Sequence, residues 1–152
     1  MKIKITPVKD NYLLPSGETE FRAPLIATEG SAGFDLYCAD DTKVLLPGNK
    51  ALLRLGFSAE LPKGYYVAIV PRSGLAVKKG LIIPNSPGTI DSDYRGEWKV
   101  CIKNTGADTA WIRAGDRIAQ GILMKHEHPE FEIVETLTET SRGEGGFGST
   151  SV

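Results

Sequence analysis

ALLRLGFSAELPKGYYVAIVPRSG, residues 51–74, holds two β-rich runs, 51–59 and 64–70, on either side of the turn Leu61-Pro62-Lys63-Gly64. β-Branched and aromatic side chains suit a pleated strand, and Pro and Gly set the turn between them. The same pattern repeats in both directions, with runs at 2–5, 44–46, 96–103, 109–113, 117–125 and 131–136. Turn chemistry separates them at Leu46-Pro47-Gly48, Asn104-Thr105-Gly106 and Ala114-Gly115-Asp116. Many short strands at close spacing predict an all-β sandwich or barrel of the jelly-roll type. One short helix is expected where the quoted stretch ends: Ser73 can cap it, residues 75–79 can form about two turns, and Gly80 can stop it.

The bulk numbers narrow the class. A chain of 152 residues with 41% hydrophobic and 24% charged residues fits one soluble domain. The formal net charge is -1 and the pI about 6.1, which argues against a nucleic-acid backbone binder. A nucleotide needs only a few placed cations and stays allowed. The first residues, MKIKITPVKD, lack the apolar core of a signal peptide, and no apolar run approaches a membrane span. Cys38 and Cys101 therefore read as reduced thiols of a cytoplasmic protein.

Several segments can carry chemistry, each with a plainer alternative. Pro71-Arg72-Ser73-Gly74 follows a strand and opens the predicted helix, so it is either a capped helix with a surface Arg or an anion site. The Walker pattern G-x-x-x-x-G-K-[ST] is absent. In the polar turn 88–97, Asp91 and Asp93 lie two apart and share a face on an extended chain. One can be a general base toward water, or both can decorate an acidic hairpin tip. Asp35, within Gly33-Phe34-Asp35-Leu36, is either a turn acid or a holder of hydrated Mg²⁺. Gln120 aligns with Ile118 toward the core and needs a polar partner. In the tail RGEGGFGST, residues 142–150, four of nine residues are Gly. It buries too little to fold alone, yet Arg142, Ser149 and Thr150 are phosphate-binding types. His126 and His128 have metal-ligand spacing but no third histidine, which makes a poor zinc site.

Taken together and in order, these segments resemble the trimeric dUTP pyrophosphatase (dUTPase) family. The family's five motifs appear as AGFDL at 32–36, PRSGLA at 71–76, GTIDSDYRGE at 88–97, GDRIAQ at 115–120 and RGEGGFGST at 142–150. The resemblance implies a distorted jelly roll (β-clip) forming a homotrimer, with a domain at 1–138 and a flexible Gly-rich arm at 139–152. It implies Mg²⁺-assisted hydrolysis of dUTP to dUMP and pyrophosphate, which keeps uracil out of DNA and supplies dUMP for thymidylate synthesis. No nucleic acid or membrane partner is expected. Each site would draw on three chains: Asp35, Ser73 and Gln120 from one, the Asp91 hairpin from a second, the arm from a third.

The same resemblance assigns roles. Asp91 would activate the water that attacks the α-phosphorus, with Asp93 the weaker candidate. Tyr94 would stack under the deoxyribose. Asn85, Gly88 and the backbone through Ile90 would form the uracil pocket. Arg72, Ser73, Gly74 and Gln120 would contact phosphates and water, and Asp35 the metal's water shell. Arg142, Gly148, Ser149 and Thr150 would close on the phosphates, and Phe147 over the uracil. Two departures stand out: Pro87 cannot donate a backbone hydrogen bond, and Ser151 replaces a common Gly. Residues 11–26 match none of the five motifs. The nearest rival of the same fold, dCTP deaminase, fits the 88–97 hairpin less well.

Overall fold

The computed structural model describes residues 1–8 and 22–146. Among them are eleven strands and one helix, in the order β1 (Lys4–Pro7), β2 (Phe34–Tyr37), β3 (Lys43–Leu45), β4 (Lys50–Arg54), β5 (Phe57–Glu60), β6 (Tyr65–Val70), α1 (Ser73–Lys79), β7 (Leu81–Ile82), β8 (Gly88–Ile90), β9 (Lys99–Asn104), β10 (Ala110–Ile112) and β11 (Arg117–Lys125). The largest sheet has the order β2-β11-β6-β8, and a second has the order β4-β9-β7. Pairs β1-β5 and β10-β3 complete a distorted all-β jelly roll, with every ladder antiparallel.

Period-two burial holds the sheets against one core. In β9, Val100, Ile102 and Asn104 are buried while Lys99 faces solvent. Trp98, Phe57, Leu36, Leu53, Ile102 and Val67 fill the centre, and the Phe57 and Trp98 rings meet at 4.9 Å. Asn104 is the polar exception, fully buried. Its amide donates to the Leu45 and Asp108 carbonyls, and its Oδ1 accepts from the Gly106 amide. Such a side chain is tolerated inside because its hydrogen bonds are met.

Three expectations are corrected, and one open alternative, Asp35 as a turn acid, is closed. The run 51–59 is two strands in different sheets, broken at Gly56, whose φ of 76° bends the chain where Glu97 accepts its N–H. The run 131–136 is no strand: Phe131 and Ile133 are 91% and 100% exposed, and this chain offers them no paired edge. Asp35 sits in strand β2 rather than in a turn. Ser73 does not cap α1. Arg72 holds the N-cap position without a side-chain cap, and its guanidinium reaches Asp35 instead.

The helix end follows the expectation. Gly80 closes α1 at φ 62°, and its N–H donates to the Ala76 carbonyl. A Cβ at Gly80 would lie 2.6 Å from the Gly106 nitrogen. Strain in the left-handed region and that collision add, so Gly80→Ala should destabilise by roughly 2 kcal/mol or more. Urea unfolding at one fixed protein concentration measures it, and a loss below about 0.5 kcal/mol would contradict this account of the turn.

Candidate active site

Strand β11 builds the first part of the site. Its residue Gln120 stands opposite Asp35 of β2 on one side and Val70 of β6 on the other. The Gln120 Nε2 donates to the Pro71 carbonyl at 3.0 Å, which ties β11 to the entrance of α1. Gly33 leaves room for this arrangement, since a Cβ there would sit 3.2 Å from Gln120 Oε1. Asp35 is 8% exposed and meets two guanidiniums: Arg72 Nε at 2.9 Å from Oδ1, and Arg117 Nη1 at 3.3 Å from Oδ2. Two cations offset the cost of burying that carboxylate.

These residues line a cleft of about 930 Å³ together with Ser73, Gly74 and Lys78. Ser73 and Gly74 are exposed in the first turn of α1, which holds no acidic residue. The space above Gly74 is open, with nothing within 4 Å of a Cβ placed there. Unpaired helix N–H groups, a hydroxyl and Arg72 make a cradle for an anion. Of the alternatives left open by the sequence, Ser73 as the helix cap is excluded, and the anion site stays open.

The second part lies between β8 and β9. These strands flank the 91–98 turn but do not pair with each other: β8 pairs with β6, and β9 with β4 and β7. A cavity of about 70 Å³ remains between them, lined by Asn85, Gly88, Thr89, Ile90 and, across from these, Lys99, Val100 and Cys101. A side chain at Gly88 would approach Asn85 Nδ2 to 3.4 Å. The wall from Lys99 to Cys101 was missed in the sequence, where it reads as an ordinary alternating strand. Its only signal was position on the return arm of the hairpin.

Asp91 and Asp93 open into a neighbouring cavity of about 660 Å³, which shares Thr89 with the smaller one and includes Tyr66, Lys63, His126 and His128. The two histidine rings stack at 4.6 Å. Tyr94 is 44% exposed, with its hydroxyl donating to the Glu97 carbonyl at 3.2 Å. Gly96 makes this possible, because a Cβ there would collide with the Tyr94 ring.

One chain does not bring these parts together. Ile90 stands opposite Val67 near the start of β6, whereas Arg72 follows its far end. Five residues at about 3.3 Å each put the two ends roughly 16 Å apart. The Arg72 cleft and the Asp91 cavity have no lining residue in common. Arg142 is exposed and donates from Nε to the Gly145 carbonyl at 2.8 Å, away from both. Phe147, Gly148, Ser149 and Thr150 lie outside the described residues.

Among the described residues no cluster of three His, Cys, Asp or Glu side chains is arranged to hold a metal. Asp35 fits Mg²⁺ in one way only. Its oxygens already accept from two guanidiniums, and a carboxylate's remaining lone pairs suit hydrogen bonds from a hydrated ion better than direct ligation. Cys38 is buried, and burial pushes its thiol up to about 11, so it offers no reactive thiolate.

Comparison with known proteins finds similarity over nearly the whole chain. The family model for dUTPase matches residues 19–151. The deoxyuridine 5'-triphosphate nucleotidohydrolase of Anaplasma marginale is 46% identical over 151 residues, covering 99% of this chain and 98% of that protein. The enzyme of the same name from Helicobacter pylori is 44% identical over 152 residues, covering 100% and 98%. A solved structure of the Staphylococcus bacteriophage 80alpha dUTPase with dUPNHPP superposes with a TM-score of 0.86 at 27% identity, covering 99% of each chain.

Proposed function

The chain belongs to the dUTPase family and hydrolyses dUTP to dUMP and pyrophosphate, and we propose that it does so in active sites completed by neighbouring copies in a homotrimer. The observation that carries this reading is the distance between the anion cradle and Asp91 at the two ends of β6. A cradle and a hairpin held roughly 16 Å apart along one strand support a site shared between copies, in which the cradle of one meets the hairpin of a second. The arm at 139–152 then comes from a third copy, over the domain at 1–138.

In this reading Arg72, Ser73, Gly74 and Gln120 hold the phosphate chain through charge-assisted hydrogen bonds. Asp91 accepts a proton from a water as its oxygen attacks the α-phosphorus in line, and the bond to the β-phosphate oxygen breaks to release pyrophosphate. The small cavity of Asn85, Gly88 and Ile90 takes the uracil, and its size excludes a 5-methyl group. Tyr94 lies against the deoxyribose. Arg142, Gly148, Ser149 and Thr150 close on the outer phosphates, and Phe147 on the base. Mg²⁺, when bound, neutralises phosphate charge, and Asp35 would hold it through its water shell. A cytoplasmic location is part of the same reading, supported by Cys38 and Cys101 being free thiols.

Pyrophosphate release should be seen with dUTP and be far weaker with dCTP, dTTP and UTP, and ammonia from dCTP would instead indicate a deaminase. Asp91→Asn should bind dUTP yet turn over at least ~10²-fold more slowly, as expected for loss of a general base. Co-expressed Asp91→Asn and Arg72→Met chains should regain activity that neither has alone, because mixed assemblies contain some intact sites. Absence of any regain would place the whole site within one chain.

Deleting residues 142–152 should leave a folded trimer with most activity lost. Full activity after the deletion would remove the arm from catalysis. Asp35→Asn should release Arg72 and weaken dUDP binding at least ~3-fold even in EDTA, since a lost charge-assisted bond costs about 1 kcal/mol or more. Titration calorimetry reads this, and a defect confined to Mg²⁺-containing buffer would limit Asp35 to the metal.

A further inference from the structure

Glu97 closes the GTIDSDYRGE segment, and none of the roles above uses it. Its carboxylate is 14% exposed and accepts from Arg54 Nε at 3.1 and 2.9 Å and from the Gly56 N–H at 3.2 Å. Arg54 is itself fixed at the end of β4. Its backbone N–H donates to Asp40 Oδ2 at 2.9 Å, and its carbonyl accepts from the Ala39 amide at 2.8 Å. The neighbouring backbone is stitched as well, with Leu55 donating to the Trp98 carbonyl and Trp98 to the Phe57 carbonyl. Glu97 is therefore the point where the exposed turn is bolted to the core.

From that point hydrogen bonds lead outward to the reactive tip. The Glu97 carbonyl accepts the Tyr94 hydroxyl, and the Tyr94 N–H donates to the Asp91 carbonyl at 3.2 Å. Arg95 adds a brace inside the turn, donating to the Ser92 carbonyl at 2.7 Å. The Tyr94 ring lies across Gly96, where no side chain fits. Tyr94 has no other hydrogen bond to the body of the domain among the described residues. Where Glu97 goes, the tyrosine hydroxyl follows.

We propose that the Arg54–Glu97 pair is a positioning device that sets the Tyr94 ring, and through it the enzyme's rejection of a ribose in place of a deoxyribose. This rests on the reading above that Tyr94 lies against the sugar. A ring held within a few tenths of an ångström can exclude one added hydroxyl, whereas a ring free to swing cannot. The pair sits at the base of the turn and touches no reacting atom. Its loss therefore acts on selectivity more than on the chemistry at phosphorus.

The test measures kcat/KM for dUTP and for UTP in the full-length wild type and in Glu97→Gln, Arg54→Met and Tyr94→Ala, with thermal unfolding of each. Arg54→Met keeps the Gly56 bond to Glu97, so it reports on the pair if Glu97→Gln fails to fold. The dUTP/UTP ratio should fall at least ~5-fold in Glu97→Gln and Arg54→Met, with UTP activity rising relative to dUTP. Arg54→Lys, which keeps the charge, should recover part of the ratio. A ratio unchanged in both pair variants, with Tyr94→Ala lowering it, would overturn the positioning role. A ratio unchanged in Tyr94→Ala would instead overturn the placement of Tyr94 against the sugar.

Discussion

Strand β11 is hydrogen-bonded along both edges, and the anion cradle depends on that double pairing. On one edge the ladder to β2 shifts register between Arg117 and Ala119. Arg117 stands opposite Tyr37, yet Ala119 stands opposite Leu36, so β11 carries one extra residue. Without that bulge Ala119, not Gln120, would face Asp35. A one-residue slip also sends each side chain to the opposite face. The bulge thus decides that a carboxamide rather than a methyl group lies between Asp35 and Pro71. Bulges near sites often re-aim a side chain in this way. With Gln120 so placed, its bond to the Pro71 carbonyl and the Asp35–Arg72 pair fix the entrance of α1 from two directions.

The same sheet that builds the cradle keeps Asp91 away from it. β6 is paired on both sides, to β11 and β8, and that pairing holds it extended between the two parts. Flexing single side chains across some 16 Å is out of reach when a hydrogen bond needs about 3 Å. The lone chain also leaves Val44, Leu52 and Trp111 exposed on its strands, and Phe131, Ile133 and Leu137 exposed beyond β11. Apolar surface on that scale accords with burial between copies. The separated half-sites and the uncovered apolar surface both support the proposed trimer.

The turns were legible because they are local. Gly48, Gly64 and Gly115 all take positive φ, in three of the four turns that the sequence predicted. Gly80 ends α1 for the same reason. The break inside 51–59 was not legible, because Gly56 interrupts an otherwise β-rich run and only Glu97, 41 residues away, reveals why. The run 131–136 has the composition of a strand, but a strand exists only beside an edge, and no local pattern says whether one is available. Asp35 shows the same limit from the site's side. Its type allowed a turn acid or a metal holder, while its partners Arg72 and Arg117 are set by sheet register.

The pocket between β8 and β9 exists because β7 is short. β7 pairs with β9 only at Leu81–Asn104 and Ile82–Lys103, which leaves the same edge of β9 open from Lys99 to Cys101. β8 spends its other edge on β6, so its free edge faces that opening. Backbone N–H and C=O groups left unpaired in a narrow cavity must find water or a ligand. A pyrimidine edge offers the same alternation of donors and acceptors that a missing strand would. In the proposed reading, the base takes the place of strand pairing that the short β7 does not supply. Selectivity then follows from the backbone itself: a base with its donors and acceptors exchanged leaves buried groups unpaired, and that mismatch discriminates far more strongly than a difference in apolar contact.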